Sequence, residues 1–411
     1  MIGKFLFGGQ IIDILIFFFN FVADTIYYWV YLVIMIKCMK ILYVYEHLTI
    51  YGGVERILIE KMNYLVNNYD EKVFLLTYNQ GCHEMPFQID DRVEYTDLGI
   101  MTYLSYRYRG LHGLWDKFKR LTLFRYKLKD YIDNLKPDII ITTTIGPINH
   151  LLKTKGNARL IIESHGGYDY IMDLPKNSFK NRWKYRLQKH RIMKADSVVS
   201  LTEGDANLWR TIHNHVVVIP NFIHFNLKGI YSSLEHKQVI YVGRFFYQKA
   251  IPDLVEIWKL VNKRHPDWSL ELYGKGVYED FLNDVISHYD YNIKCHPPTS
   301  DIYKHYIESS IFIIASYYES FSLVIGEAMS CGLPVVAFNC PFGPGEQIVN
   351  GENGFLVENR DIFIFADRVC QLIEDIELRK KMGRTGVTYV QRYRPEIIMP
   401  MWKEFMESMV Y

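Results

Sequence analysis

The sequence predicts an α/β protein built from two parallel-sheet units that face one another across a cleft. Three observations carry that prediction. From Met39 onward, short apolar runs alternate with amphipathic stretches, the pattern of βαβ units. The alternation stops in a polar, irregular stretch, Asn221–Lys237, and then restarts. A length of 411 residues suffices for two domains of ordinary size, each with its own core.

In the first unit, Ile41–Tyr45 reads as a strand, Gly52-Gly53 as a loop, and Val54 to Asn68 as a helix. Val73–Thr77 is the second strand. A helical region, Leu114–Leu135, ends before Lys136-Pro137-Asp138, where the proline disfavours helix in the preceding residue. Strands follow at Ile139–Thr143 and Leu160–Glu163, the latter ending in the polar loop Ser164-His165-Gly166-Gly167. Residues 178–194 have helical periodicity, and Ser197–Leu201 and Val216–Ile219 return to strand. The second unit runs strand Val239–Val242, helix 251–264, strand Ser269–Tyr273, helix 277–288 and strand Ile293–Cys295. Strand Ile311–Ala315, helix 322–331, strands Val335–Phe338 and Phe355–Val357, and helix 361–374 complete it. The expected division is a hydrophobic segment at 1–38, Rossmann-like domains at 39–222 and 223–385, and a C-terminal helix at 386–411.

A hydrophobic content of 49% with 23% charged residues excludes a disordered chain. The net charge of +1 hides two basic stretches. Arg107 to Lys129 holds eight Lys or Arg against one acid, Asp116, and Lys176 to Lys194 holds eight against none. Aromatic residues interleave with both, among them Trp115, Phe118, Phe179 and Trp183. Two readings compete, a solvated helix face and peripheral attachment to an anionic membrane surface. No nucleic-acid motif accompanies the charge, so no nucleic-acid partner is expected. The six cysteines show neither Cys-x-x-Cys pairing nor zinc spacing, which suits a reducing compartment with several of them as small core residues.

Residues 14–36 are almost wholly apolar, interrupted by Asn20 and Asp24 and flanked by Lys4, Lys37 and Lys40. The length suits a membrane span, but Asp24 is costly there. No small-residue cleavage site follows. A membrane anchor, an interfacial segment, and an extension upstream of a natural start at Met39 are the three readings.

The chemistry concentrates where strands meet helices. Loop Tyr317–Ser322 leaves a strand end and enters a helix, where ligands collect in open α/β sheets. The amides of Ser322, Leu323 and Val324 suit an anion such as a diphosphate. Glu319 and Glu327 stand eight residues apart, about 12 Å if both are helical. Glycosidase acid–base pairs sit roughly 5–9.5 Å apart. They therefore read as two ligand contacts, or, taken alone, as solvated surface acids. Gly243-Arg244 closes a strand and Lys249 follows, two cations suited to a diphosphate. The next strand ends in Gly274-Lys275-Gly276, a turn that lets backbone approach a ligand but lacks the third glycine of a dinucleotide fingerprint.

In combination these segments resemble the retaining GT-B glycosyltransferases of family 4 (glycosyl transferases group 1). The likeness rests on Gly243-Arg244 with Lys249, Gly274-x-Gly276, Glu319 to Glu327 with Gly332-x-Pro334, Pro344-Gly-Glu346, and Asn350-Gly-x-Asn-Gly354. It covers Met39 to the C-terminus and is tightest after residue 239. The resemblance implies that the second domain binds a nucleotide diphosphate sugar, UDP-linked by expectation. Arg244 and Lys249 would hold the diphosphate, Glu327 the ribose, and Glu319 the sugar. It implies an acceptor-side loop at Gly52, Gly53 and Glu55, and a catalytic-site histidine at His165. It also implies a C-terminal helix crossing back onto the first domain, and front-face displacement in which the leaving diphosphate helps take the acceptor's proton. Glu319 is the one candidate for a covalent nucleophile.

The family works without an Asp-x-Asp metal site, and none occurs in this chain, so neither metal nor other cofactor is expected. Asn339 to Glu346 resembles the Gly-Pro-Ser-Glu variant of hexosamine and galactose transferases, with Gly345 in place of the serine. Glu346 reads equally as a ligand contact and as a cap of the following helix. The expected activity is transfer of a hexose or N-acetylhexosamine to a glycan or lipid-linked acceptor in surface polysaccharide biosynthesis, at the cytoplasmic face of the cell membrane. A nucleotide-sugar epimerase on the same architecture and an inert sugar-nucleotide-binding protein are the alternatives.

Overall fold

The structure is a computed structural model that describes residues 38–107, 110–143, 146–172, 178–225 and 229–411. The readings of the N-terminal hydrophobic segment lie outside the described residues. The first sheet has strands β1 (Lys40–Tyr45), β2 (Lys72–Thr77), β3 (Glu94–Asp97), β4 (Ile139–Thr142), β5 (Arg159–Ser164), β6 (Ser197–Ser200) and β7 (Val216–Val218). Their order is 3-2-1-4-5-6-7. The second has β8 (Gln238–Val242), β9 (Ser269–Tyr273), β10 (Ile293–His296), β11 (Ile311–Ile314), β12 (Val335–Phe338) and β13 (Gly354–Val357), in the order 10-9-8-11-12-13. Every pairing between these strands is parallel. Both sheets are thus doubly wound, with the order reversing between β1 and β4 and between β8 and β11. Those switch points are where such sheets open a crevice at the strands' carboxyl ends.

Helices α1 (Gly53–Asn68), α2 (Gly110–Leu135), α3 (Ile148–Thr154), α4 (Gly167–Met172), α5 (Phe179–Ile192) and α6 (Glu203–Arg210) belong to the first unit. The second carries α7 (Ile251–Arg264), α8 (Glu279–His288), α9 (Ile302–Ile307), α10 (Leu323–Ser330), α11 (Gly343–Gln347), α12 (Ile362–Glu374) and α13 (Ile376–Val390). After a single turn at Gln391–Tyr393, Pro395 opens α14 (Pro395–Val410), and proline suits a first helical turn because its missing N–H is not needed there. Helix α14 returns to the first unit. Lys403 Nζ lies 2.8 Å from Glu71 Oε1, and Arg159 Nε donates to the Met409 carbonyl at 2.9 Å. Trp402, Phe405 and Met406 are buried there, each contributing about 2–3 kcal/mol by removing apolar surface from water.

Strand β3 and helices α3, α4, α6, α9, α11 and α13 add to the elements that the pattern predicts. The β3 sequence Glu-Tyr-Thr-Asp is polar because it is an edge strand, half open to solvent. Helix α6 is only eight residues long, too short for a periodic signal, but Thr202 caps it by accepting from the Asp205 amide. Strand β11, and strands β1 and β8 after their first residues Lys40 and Gln238, are apolar because helices cover both faces, so they show no alternation. One continuous apolar core joins a face of the first sheet to the second unit through Ile219, Phe222 and Ile223.

Candidate active site

At the end of β8 the chain turns through Gly243, whose amide donates to the Tyr273 carbonyl at 3.0 Å. A Cβ on Gly274 would lie 2.0 Å from the Gly243 carbonyl oxygen. The space that Gly274 leaves is therefore filled by the neighbouring loop, where the sequence suggested a ligand. Arg244 is exposed, its guanidinium 5.4 Å from the centre of the Phe246 ring. Lys249 closes a single helical turn, and Ala250 takes a left-handed conformation (φ 49°) to start α7. Lys249 Nζ reaches Glu319 Oε1 at 2.5 Å, and Ser316 Oγ donates to the same oxygen at 2.7 Å. The structure thus brings Lys249 and Glu319 together beyond the ends of β8 and β11.

Helix α10 begins at Leu323, and by helix geometry its first-turn amides, including Leu323 and Val324, have no intrahelical acceptor. Ser322 occupies the capping position without capping; its Oγ is buried and has no partner. A buried, uncapped helix start of this kind suits an anion. Glu327 lies in the second turn, buried, and has different partners from Glu319. Its Oε1 accepts from Arg56 Nη2 of α1, and its Oε2 accepts from Tyr306 Oη at 3.3 Å. The charge of Glu327, opposed by burial, raises the Arg56 pKa. Burial first, and then Glu327, push the phenols of Tyr303 and Tyr306 upward.

The first unit closes the site from above. A Cβ on Gly53 would meet Leu323 Cδ1 at 3.2 Å, so the starts of α1 and α10 face one another. The Glu55 carboxylate folds back over Gly52, where an added Cβ would lie 2.2 Å from Oε2, and Tyr45 Oη donates to its Oε1 at 3.1 Å. The carbonyl of His165 accepts from Ser320 Oγ, which ties the loop after β5 to the loop after β11. Lys249, Glu319, Glu327, the α10 start, the Gly52-Gly53 loop and His165 therefore border one cleft, and Arg244 is exposed on the loop that carries Lys249.

Arg56 and Phe342 were not assigned from sequence, and Glu346 has a partner other than the helix it was expected to cap. Arg56 follows Glu55 in the first turn of α1, and only the fold shows that it reaches Glu327. Phe342 has a positive φ (76°) and sits where Cβ atoms on Gly167 and Gly204 would approach its ring at 3.6 Å and 3.2 Å. Glu346 Oε1 accepts from the Gly204 amide at 3.1 Å. It caps α6 across the cleft, and the helix that follows it in the chain is not its partner. Among the described residues, no group of three or more His, Cys, Asp or Glu is placed to hold a metal ion.

Residues 227–388 match the family model described as glycosyl transferases group 1, and residues 51–227 match glycosyltransferase family 4. An uncharacterized glycosyltransferase of Haemophilus influenzae is 28% identical, over 86% of this chain and 95% of its own. The amylovoran biosynthesis glycosyltransferase AmsD of Erwinia amylovora is 25% identical, over 89% of this chain and 99% of its own. A crystal structure of a Staphylococcus aureus TarM variant, in complex with fondaparinux, α-GlcNAc-glycerol and UDP, has the same fold. It is 16% identical, with a TM-score of 0.72 over 90% of this chain and 99% of that one. Two facing doubly wound domains matched by these two models make the chain a GT-B glycosyltransferase of family 4.

Proposed function

We propose that the enzyme transfers a hexose or N-acetylhexosamine from a UDP-sugar, with retention of anomeric configuration, to a glycan or lipid-linked acceptor in surface polysaccharide biosynthesis. The observation that carries the reading is the arrangement around α10. A buried, uncapped helix start lies in the same cleft as the Lys249–Glu319 pair, and Glu327 stands one turn deeper. In this proposal the Leu323 and Val324 amides, with Ser322 Oγ, bind the diphosphate. Arg244 and Lys249 stabilise its growing charge as the sugar leaves. Glu327 accepts hydrogen bonds from the ribose hydroxyls, and Glu319 and His165 contact the sugar. The Gly52-Gly53 loop, with Glu55, borders the acceptor side. The UDP in the TarM complex and the polysaccharide pathway of AmsD support the donor and the pathway.

The reaction as proposed needs no divalent metal, and chelator-insensitive turnover is the expected outcome. Peripheral attachment at the inner face of the membrane belongs to the same proposal. Its support is the surface of α2 and α5, where Leu111, Trp115, Phe118, Phe179 and Trp183 are exposed among basic side chains. Among the described residues no helix is long and apolar enough to cross a membrane.

The direct test screens nucleotide sugars for protection against thermal unfolding, then follows transfer to candidate acceptors and the anomeric configuration of the product by NMR. Stabilisation by UDP-sugars with an axial or equatorial linkage kept in the product supports the reading. An inverted product, or stabilisation by other nucleotides only, would overturn it.

A further inference from the structure

Behind His165 lies a buried charged chain that the reaction as described does not use. Glu163, at the end of β5, is wholly buried, and so is Lys61 on α1, which donates to Glu163 Oε1. His165 Nε2 stands 3.0 Å from that same oxygen, although not in hydrogen-bond geometry. Glu163 Oε2 has no partner. Trp402 of α14 closes the chain from outside, its ring centre 4.6 Å from Lys61 Nζ. Tyr43 on β1 is the further titratable group facing Glu163, its phenol pushed up by burial and then by that carboxylate.

An isolated buried carboxylate is costly and tends to take up a proton. Here burial pushes the Glu163 carboxyl up, but Lys61 and His165 outweigh it and hold it at about 2. A buried ion pair contributes little net stability compared with apolar side chains of the same size. Its presence directly behind a cleft histidine therefore calls for another explanation. A carboxylate beside one imidazole nitrogen keeps the proton on that nitrogen and fixes the ring.

We infer that Glu163, kept ionised by Lys61, is a positioning residue for His165: it holds the proton on Nε2, so that Nδ1 presents its lone pair to a hydroxyl of the donor sugar. No bond is made or broken in this step. The Glu163 charge, 3.0 Å from Nε2, sets the tautomer, and Lys61 and Trp402 shut water out behind it. The inference rests on the reading that His165 contacts the sugar.

Glu163→Gln alone leaves Lys61 buried without a counter-charge, so the test uses the charge-free pair K61M/E163Q, with folding checked by circular dichroism. The expected result is a drop in kcat of about 10- to 100-fold, with the Kd for UDP, which lacks the sugar, changed less than twofold. In a His165→Ala background, the same pair of substitutions should cost nothing further. An equal loss in that background would show a merely structural role and overturn the inference. Wild-type kcat for K61M/E163Q beside an impaired His165→Ala overturns it while sparing the sugar contact of His165. Wild-type turnover by His165→Ala removes both.

Discussion

At Lys249 the side chain's charge matters more than its bulk. Its ammonium meets the buried Glu319 carboxylate at 2.5 Å, and Ser316 Oγ is the remaining donor to that oxygen. Lys249→Ala should therefore lower kcat by about 10²–10³-fold, the usual cost of removing one group that stabilises developing charge. Removing Lys249 also leaves the buried Glu319 carboxylate without its counter-charge, so some stability should be lost as well; release of UDP by the folded variant and circular dichroism read the two effects separately, and near-wild-type turnover would remove Lys249 from the reaction. Thiol reactivity gives a second residue-level outcome. Burial pushes the Cys331 and Cys340 thiols up to about 12 and that of Cys370 to about 11, whereas Cys82 is exposed. Native protein should react quickly with a thiol reagent at Cys82, and slowly at the three buried positions, a pattern that peptide mapping of the labelled protein can read. Glu163 gives the pH dependence. Its carboxyl is depressed in the folded state to about 2, so its contribution is complete above the unfolded value of about 4.3 and is lost as pH falls toward the folded one. Any melting-temperature advantage of the wild type over K61M/E163Q should shrink as pH drops from about 5 to about 3; a difference that stays constant would mean that Glu163 is not the titrating group.

At the scale of elements, the βα turns do the positioning. Gly274 carries no Cβ because the Gly243 carbonyl lies 2.0 Å from where it would be, so the turns after β8 and β9 pack backbone on backbone. Gly274→Ala should cost about 1–3 kcal/mol of stability and displace Arg244, weakening UDP binding more than Gly351→Ala, whose cost lies in its positive φ (84°) and not in a contact, since its added Cβ would meet nothing. Isothermal titration on the two variants separates the effects. The turns were legible in sequence because their apolar strands end abruptly in glycine, cation or acid within a few residues: Val242-Gly243-Arg244, Tyr273-Gly274, Ala315 to Glu319. Strand β3 and helix α6 were not, since an exposed edge strand has no apolar run and two helical turns give no period. The same contrast holds within the site. Glu319 and Lys249 lie in strand-to-helix turns and Glu327 in the helix that follows, at spacings that announce them, whereas Arg56 meets Glu327 and Glu346 meets Gly204 only through contacts between domains, which no local pattern records.

The whole molecule is held closed by contacts that bridge its two units. Phe342 from the loop after β12 fits between Gly167 and Gly204, Glu346 accepts from the Gly204 amide at the start of α6, and Arg56 pairs with Glu327. Burying part of the Phe342 ring contributes about 1–2 kcal/mol, and a carboxylate at a helix start about 1 kcal/mol. Their sum of about 2–3 kcal/mol is roughly 30- to 100-fold in an opening equilibrium, at about 1.4 kcal/mol per tenfold. The Phe342 backbone (φ 76°, ψ −77°) works against this, since a residue in such a sparsely populated conformation costs about 1–3 kcal/mol and persists only where its surroundings over-determine it. In the closed state Arg56 occupies the carboxylate proposed to receive the ribose, so closure and donor entry compete for Glu327. The double variant F342A/E346A should shift the population toward open forms. Small-angle scattering should then show a larger radius of gyration in the absence of nucleotide. UDP should bind at least as tightly as to the wild type, because less closure must be undone, while kcat falls because the two halves of the cleft meet less often. An unchanged radius would mean that these contacts do not hold the domains together, and weaker UDP binding would mean that Arg56 assists the ribose instead of competing with it.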